Sequence, residues 1–388
     1  MGRQPPAPAS AVTDLARGLP SPACAWIYSP ERLLARLAAL REALAGHTIL
    51  YAMKACANPA ILAAATEAAD GIECASAGEL GRALEAGASR LAFSGPAKTG
   101  RDFARAAAAE ADLCVHVERL AELDGLAEAG FGGPVALRVN RGRPLPGSHR
   151  MAGEPTPFGI DAAEVPAAAA RAAALGLDVV GFHLHAVSNC LDAAAYAAHV
   201  TGALAWARGA AAEARIDLRY VNVGGGLGAD PRGETIDLAA LAAGLEGLDA
   251  GGVELVFEPG RYLAAPAGWY LAEVVDVKTV AGRAFAVVRG GTHHFRLPAA
   301  WGYSHPFTVV PVDHWAHPWP RPRLDDVEVR VCGELCTPRD VLNAGQRVAS
   351  LAAGDRLLFA DAGAYGWEIS HDRFLDHQRP LQIVIDRV

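Results

Sequence analysis

A (β/α)8 barrel followed by a mainly β domain is the fold class this sequence predicts, from three observations. From about residue 45 to 270, short apolar runs alternate with alanine-rich amphipathic stretches, the beat of strand then helix. The apolar runs number eight, the count a closed barrel needs. After Arg261 the texture becomes β-rich, with Gly, Pro and aromatic residues as punctuation. An open doubly wound sheet is the alternative for the first region.

In chain order, residues 1–44 form an N-terminal segment expected to pack partly with the β domain, 45–270 the barrel and 271–388 the β-rich domain. The predicted barrel strands are Thr48 to Tyr51, Ile72 to Ala75, Leu91 to Phe93, Leu113 to His116, Val135 to Val139, Val179 to His183, Tyr220 to Val223 and Leu255 to Phe257. Each is followed by a helical stretch or a loop, so polar groups at strand carboxyl ends are the expected site of chemistry. The second region offers Val274 to Val280, Ala284 to Arg289, Val327 to Val331, Arg356 to Phe359 and Leu381 to Ile385. Ser304 to Pro322, rich in Trp and Pro, reads as one long loop with a role in function or in an interface.

The 388 residues, 52% hydrophobic and 20% charged, suffice for a sizeable core and two domains. No apolar stretch reaches the roughly 20 residues that span a bilayer, and the amino terminus lacks the apolar core of a signal peptide. A cytoplasmic location without membrane attachment is expected. The net charge of −8 speaks against a nucleic-acid partner and for a small-molecule ligand. Seven scattered cysteines suit reduced thiols, and Cys332 and Cys336 have no second ligand pair, so no metal is expected.

Lys54 ends the first barrel strand. Desolvated there, its amine could form a Schiff base, although a solvated strand cap is the plainer reading of a lysine in that place. Gly224-Gly225-Gly226 and Glu258-Pro259-Gly260-Arg261 follow the last two strands. Glycines admit a close anion and the arginine adds a cationic fork, together a phosphate site; tight turns are the alternative for the glycines alone. Glu258, ending an apolar strand, needs a partner, and a pyridine nitrogen would be one. A lysine for an aldehyde, a phosphate cradle and an acid for a ring nitrogen are the parts that pyridoxal phosphate requires.

With those residues in place, the chain resembles the pyridoxal-phosphate-dependent fold-type III decarboxylases, which include the diaminopimelate and ornithine enzymes. Six motifs follow the family's order: Tyr51-Ala52-Met53-Lys54, His183 to Ser188, Gly224 to Gly226, Glu258 to Arg261, Cys332 to Asp340 and Asp361 to Gly366. The resemblance implies that Lys54 carries the cofactor, Glu258 contacts its pyridine nitrogen and His185 stacks on its ring. It places Ser188, Gly226, Gly260, Arg261 and Tyr365 on the phosphate, and Glu73 and Arg138 near the lysine and ring. Cys336 would come from the partner subunit to protonate the intermediate or shape the site, making the active unit a homodimer with shared sites. The bland alternatives are a core histidine for His185, a packing tyrosine for Tyr365, a buried inert thiol for Cys336 and a surface ion pair for Arg261.

Departures from the family pattern bear on the substrate. Cys336 is followed by Thr337-Pro338, where diaminopimelate decarboxylases carry a glutamate; Arg296 precedes Leu297-Pro298, one position early for the family's Arg-Pro clamp; and Val187 replaces a glycine. Together with 151–160, Gly290 to Arg296 and Trp301 to Pro306, these resemble the branch acting on amino acids within larger conjugates, foremost a citryl-diaminopropionate intermediate of carboxylate siderophore biosynthesis. His293, His294, Arg296, Thr337 and Asp340 are the substrate-binding candidates, an exposed loop pair being the alternative for the two histidines. Competing readings are a diaminopimelate, polyamine-pathway or carrier-linked decarboxylase, an alanine-racemase-like enzyme and a non-catalytic homologue.

Overall fold

In the computed structural model, which describes residues 10–141, 149–150, 155–315 and 317–386, eight parallel strands close on themselves. Their order is Asp112–Val117, Arg90–Phe93, Gly71–Cys74, Thr48–Ala52, Glu254–Phe257, Tyr220–Asn222, Val179–His183 and Val135–Asn140. Pairing of Val115 with Val135 and of Val117 with Leu137 joins the last strand to the first. That closure rules out the open doubly wound sheet. Leu50, Ala92, Cys114, Ala136, Val180, Tyr220 and Val256, from seven different strands, meet in one buried cluster, as a sheet curled into a packed barrel requires.

The helices between the strands are alanine-rich and locally capped. Asn58 accepts from the Ala60 amide with Pro59 at the first helical position, Ser76 accepts from the Glu79 amide, and Asp192 accepts from the Ala195 amide. The last of these starts the 22-residue helix Ala193–Ala214, which ends where Arg215 turns left-handed at φ 57°. No described helix is long and apolar enough to cross a membrane.

The chain divides into two units: one holds residues up to Leu33, Asp230–Glu234 and everything from Leu263 onward, the other Leu34–Ala229 and Thr235–Tyr262. The first is mainly β. Its 13-residue strand Gly268–Val280 pairs with Cys24–Tyr28 and Arg356–Phe359 over its first half, then passes a bulge between Val274 and Asp276 and pairs with Arg283–Val288. A bulge bends a strand at the cost of one ladder position, which lets one strand serve two sheet segments. Val12, Ala16, Ile27, Trp269, Leu271 and Leu358 share its core.

Three strands of this unit were not expected. Cys24–Tyr28 is buried along its whole length between Gly268–Val280 and Leu381–Val384, so it shows no alternation to read. Val341–Ala352 carries Asn343, Gly345 and Arg347, which lower its strand signal, and it is held by the antiparallel ladder to Arg323–Cys332. Ser304 to Pro322 is not one loop. Its Thr308–Val310 forms a short strand on Arg356–Phe359.

Candidate active site

Polar side chains collect at the carboxyl ends of the barrel strands. Thr48–Ala52 runs into a single 3-10 turn, Met53–Ala55, that carries Lys54. The neighbouring strand brings Glu73 level with Ala52, and the Lys54 amine pairs with the Glu73 carboxylate. Glu73 is 1% exposed; burial raises its carboxyl pKa, the Lys54 ammonium opposes that, and nearby Glu258 adds to it. The lysine side chain itself is 38% exposed. It is thus neither desolvated alone nor a bare solvated cap, but half of an ion pair whose other half is buried.

Glu258 follows the strand Glu254–Phe257 and is buried. Asn222, at the end of the adjacent strand, donates from Nδ2 to Glu258 Oε1 at 2.7 Å and to the Tyr220 hydroxyl at 2.8 Å, while its Oδ1 accepts from the Gly224 amide at 2.8 Å. Every polar atom of this buried amide is therefore used. His183 Nε2 lies 3.3 Å from the other Glu258 oxygen. Behind them Tyr220 meets His116 Nε2 at 3.1 Å, and His116 Nδ1 meets Ser94 Oγ at 2.9 Å. Burial foremost, then His183 for His116 and Arg138 for His183, holds both histidines well below the ordinary range, so both rings are neutral. His116, His183 and Glu258 also form, among the described residues, a group of metal-capable side chains within 4.8 Å, but Oε1 of Glu258 already accepts from Asn222.

The glycine run is dictated by close approach rather than by a turn alone. A Cβ on Gly224 would sit 2.4 Å from the His185 ring, one on Gly225 2.3 Å from the Glu258 carbonyl, and one on Gly226 2.5 Å from the Val187 carbonyl. Gly224 and Gly226 also adopt positive φ, 74° and 101°. His185 Nδ1 accepts from the Gly225 amide at 3.2 Å, and burial followed by Arg138 and His183 keeps its ring neutral. Val187, where a glycine was the family norm, sits in a short extended pairing, Val187 with Arg150 and Ser188 with His149, which needs no glycine. A Cβ on Gly260 would lie 2.9 Å from Ala55, so the Lys54 turn and the Glu258 to Arg261 segment pack directly together. Arg261 is buried, which removes its reading as a surface ion-pair residue. Arg138 is buried too, and its guanidinium is committed to Glu118 at 2.7 Å; it acts on His185 through its field.

In the β unit the loops holding the substrate candidates are stitched together. Asp340, 1% exposed, accepts from the amides of Thr292 at 2.6 Å and Leu335 at 2.8 Å, and Glu334 accepts from the Gly290 amide at 2.9 Å and from Arg289 at 2.6 Å. Asp340 is spent on backbone amides, and His293 and His294 are fully buried, so the two histidines are not an exposed loop pair. Burial foremost lowers the His294 pKa to about 3. Arg296 and Thr337 do reach solvent, and Cys336 is exposed, not an inert buried thiol. Tyr365 lies within the same unit, 5.9 Å from Trp301 between ring centres, with a left-handed backbone at φ 57° that few tyrosines adopt. Of the segment 151–160, residues 151–154 lie outside the described residues.

Residues 31–265 match the family described as "Pyridoxal-dependent decarboxylase, pyridoxal binding domain". The chain belongs to that family. These decarboxylases bind pyridoxal 5'-phosphate and remove a carboxylate from an amino acid. It is 34% identical, over 92% of its length and 93% of the relative's, to the 2-[(L-alanin-3-ylcarbamoyl)methyl]-2-hydroxybutanedioate decarboxylase of Staphylococcus aureus. It is 33% identical, over 92% and 89%, to the diaminopimelate decarboxylase of Deinococcus radiodurans. Among solved structures, the diaminopimelate decarboxylase of Helicobacter pylori complexed with L-lysine superposes with a TM-score of 0.82 at 25% identity, covering 97% of this chain and 94% of that one.

The buried support of Glu258 escaped the sequence reading. His116, Tyr220 and Asn222 occupy predicted strands, and the signal was there: each is a polar residue within or at the end of an apolar barrel strand, where an uncompensated polar group is costly.

Proposed function

We propose that this decarboxylase acts on the amide conjugate of citrate with the side-chain amine of 2,3-diaminopropionate, as a homodimer with shared active sites serving carboxylate siderophore biosynthesis. The identities of 34% and 33% do not separate this substrate from diaminopimelate. The observation that carries the choice is the sequence after Cys336. Thr337 and Pro338 stand where a diaminopimelate enzyme presents a glutamate to the distal amino-acid centre, and a neutral hydroxyl offers that ammonium no counter-charge.

The residues fit the cofactor on two grounds: the glycine run leaves no room for any Cβ beside His185, and the donor set offers an amine, a held carboxylate and a buried guanidinium. Lys54 would hold the aldehyde carbon, His185 the ring face, and Ser188, Gly226, Gly260, Arg261 and Tyr365 the phosphate. Bound there, pyridoxal phosphate supplies an electron sink for the charge left on Cα when CO2 departs. Glu258 would keep the ring nitrogen protonated. Asn222 orients its carboxylate, with His183 packed 3.3 Å from the other oxygen, and the Tyr220–His116–Ser94 chain holds Asn222 in turn. Glu73 would keep the Lys54 amine in place until substrate arrives. Cys336 of one subunit would hold the proton delivered to Cα at the partner's site.

The test is direct. The purified protein, loaded with pyridoxal phosphate, is given citryl-diaminopropionate, meso-diaminopimelate and ornithine in separate reactions, with CO2 and product mass measured. Preference for the citryl conjugate is expected, with a product lighter by one CO2. Preference for diaminopimelate would overturn the substrate assignment, and turnover without CO2 would overturn the reaction.

A further inference from the structure

Beside Cys336 the β unit carries an open groove of about 680 Å³, within the size range of small-molecule sites. Its charge is one-sided. Arg296, Arg330 and Arg339 line it together with His371, Tyr303 and Thr337, and no aspartate or glutamate is among its lining residues. Among the described residues none of the three arginines has a carboxylate within ion-pair distance, although most other arginines of this unit do, such as Arg289 with Glu334 and Arg321 with Asp355. The nearest acid in sequence, Asp340, is buried and turned to the Thr292 and Leu335 amides. Arg296 Nη1 lies 3.4 Å from His371 Nδ1, and burial together with the Arg296 charge lowers the His371 pKa, so the imidazole yields its proton rather than adding to the crowding.

We infer that this groove is an anion-recognition site in which Arg330 and Arg339, with Arg296, bind the two free carboxylates of a hydroxy-dicarboxylate group at the distal end of the substrate. The inference rests on the decarboxylase reading above and gives it a chemical reason. A planar guanidinium meets a carboxylate through two parallel N–H···O bonds, and three such forks suffice for two carboxylates. The hydroxyls of Thr337 and Tyr303 are of the kind that pair with an alcohol or an amide. A distal ammonium, as in diaminopimelate, lysine or ornithine, would meet three cations and no acid. Such a groove selects by repulsion as much as by attraction. Arg330 lies in no motif that pointed to chemistry, and Arg339, inside the Cys332 to Asp340 motif, had no role assigned to it. Arg330 reaches the groove from the strand Arg323–Cys332, and Arg339 follows the loop after Cys336.

The experiment uses the full chain loaded with pyridoxal phosphate. Citrate binding is measured by calorimetry, and KM and kcat for citryl-diaminopropionate by CO2 release, for wild type, Arg330→Gln, Arg339→Gln and Arg330→Lys. Each Gln variant should weaken citrate binding and raise KM by about 10-fold or more, with a much smaller change in kcat, because a charged hydrogen bond made equally in ground and transition states is lost. Arg330→Lys, which keeps charge without the fork, should fall between. Retained cofactor absorbance and an unchanged melting temperature show that a variant is folded. If both Gln variants leave citrate affinity and KM unchanged while wild type turns over the conjugate, the groove assignment fails and the substrate reading stands. If wild type binds citrate, loses it on Arg330→Gln, and yet does not decarboxylate the conjugate, the groove stands and the substrate reading fails.

Discussion

The barrel and the β unit hold polar residues in opposite ways. Around Glu258 in the barrel, Asn222, His116, His183 and Tyr220 are all at most 6% exposed, and Asn222, Tyr220 and His116 are joined to Glu258 in one hydrogen-bonded chain. Around Cys336 in the β unit, Arg296, Arg330 and Arg339 face an open groove with no counter-charge. A cofactor that stays bound through every turnover rewards a dry, hydrogen-bonded support, which is rigid and costly to perturb. A substrate that must enter and leave rewards solvated cations that lose little when empty. The contrast separates the chemistry of the reaction from the choice of what reacts.

Removing the barrel amine gives the largest effect. Lys54→Ala should lower CO2 release by about a thousand-fold or more, with loss of the visible absorbance of lysine-bound cofactor. Mixing Lys54→Ala with Cys336→Ala protein should then restore about a quarter of wild-type activity, because half the dimers formed carry one intact shared site. No recovery on mixing, with exchange confirmed by mass, would place Lys54 and Cys336 of the same chain at one site and remove the shared-site dimer.

Breaking the buried network is the next test. Asn222→Leu leaves the Gly224 amide and one Glu258 oxygen without their partner and the Tyr220 hydroxyl with His116 alone, and each unsatisfied buried group costs about 1–3 kcal/mol. Melting temperature and cofactor affinity should both fall. Full retention of both would show that Glu258 does not depend on this support. In the β unit, Asp340→Ala should cost a similar amount, releasing the Thr292 and Leu335 amides, but it should act on substrate KM while cofactor affinity holds.

The smallest expected effect is on pH. His294 and His305, both in the β unit, are lowered chiefly by burial to about 3 and about 4. A histidine whose folded pKa is depressed adds stability that is complete above its unfolded value and is lost as pH falls toward the folded value. Melting temperature should therefore decline from about pH 6.5 toward about pH 4. His305→Gln should flatten that slope, since the amide can still donate to the Ala360 carbonyl, to which His305 Nε2 now lies at 2.7 Å.

Much of this was readable in one dimension. All eight predicted barrel strands are present within one residue or so at each end, because parallel strands buried on both faces are short apolar runs bounded by helices. The strand Cys24–Tyr28 was invisible for the same reason it matters: uniformly buried and isolated near the amino terminus, it has neither period nor neighbours in sequence. Lys54, Glu258 and the glycine run were legible because their chemistry and spacing are local. The burial of His293, His294 and Asp340 was not legible, because a polar residue in a loop carries no local sign of being enclosed.

The sequence by itself determined the two-part fold, the cofactor and the reaction class, since strand period, glycine placement and motif order are all written along the chain. Only the tertiary structure decided which polar residues serve which end. Asn222 is 36 positions from Glu258, and Tyr220 is 104 from His116, yet each pair is bonded. Arg296, Arg330 and Arg339 likewise become one groove only when separate strands and loops are packed together. Hydrogen bonds and charges act over a few ångströms of space, and sequence distance carries no record of them.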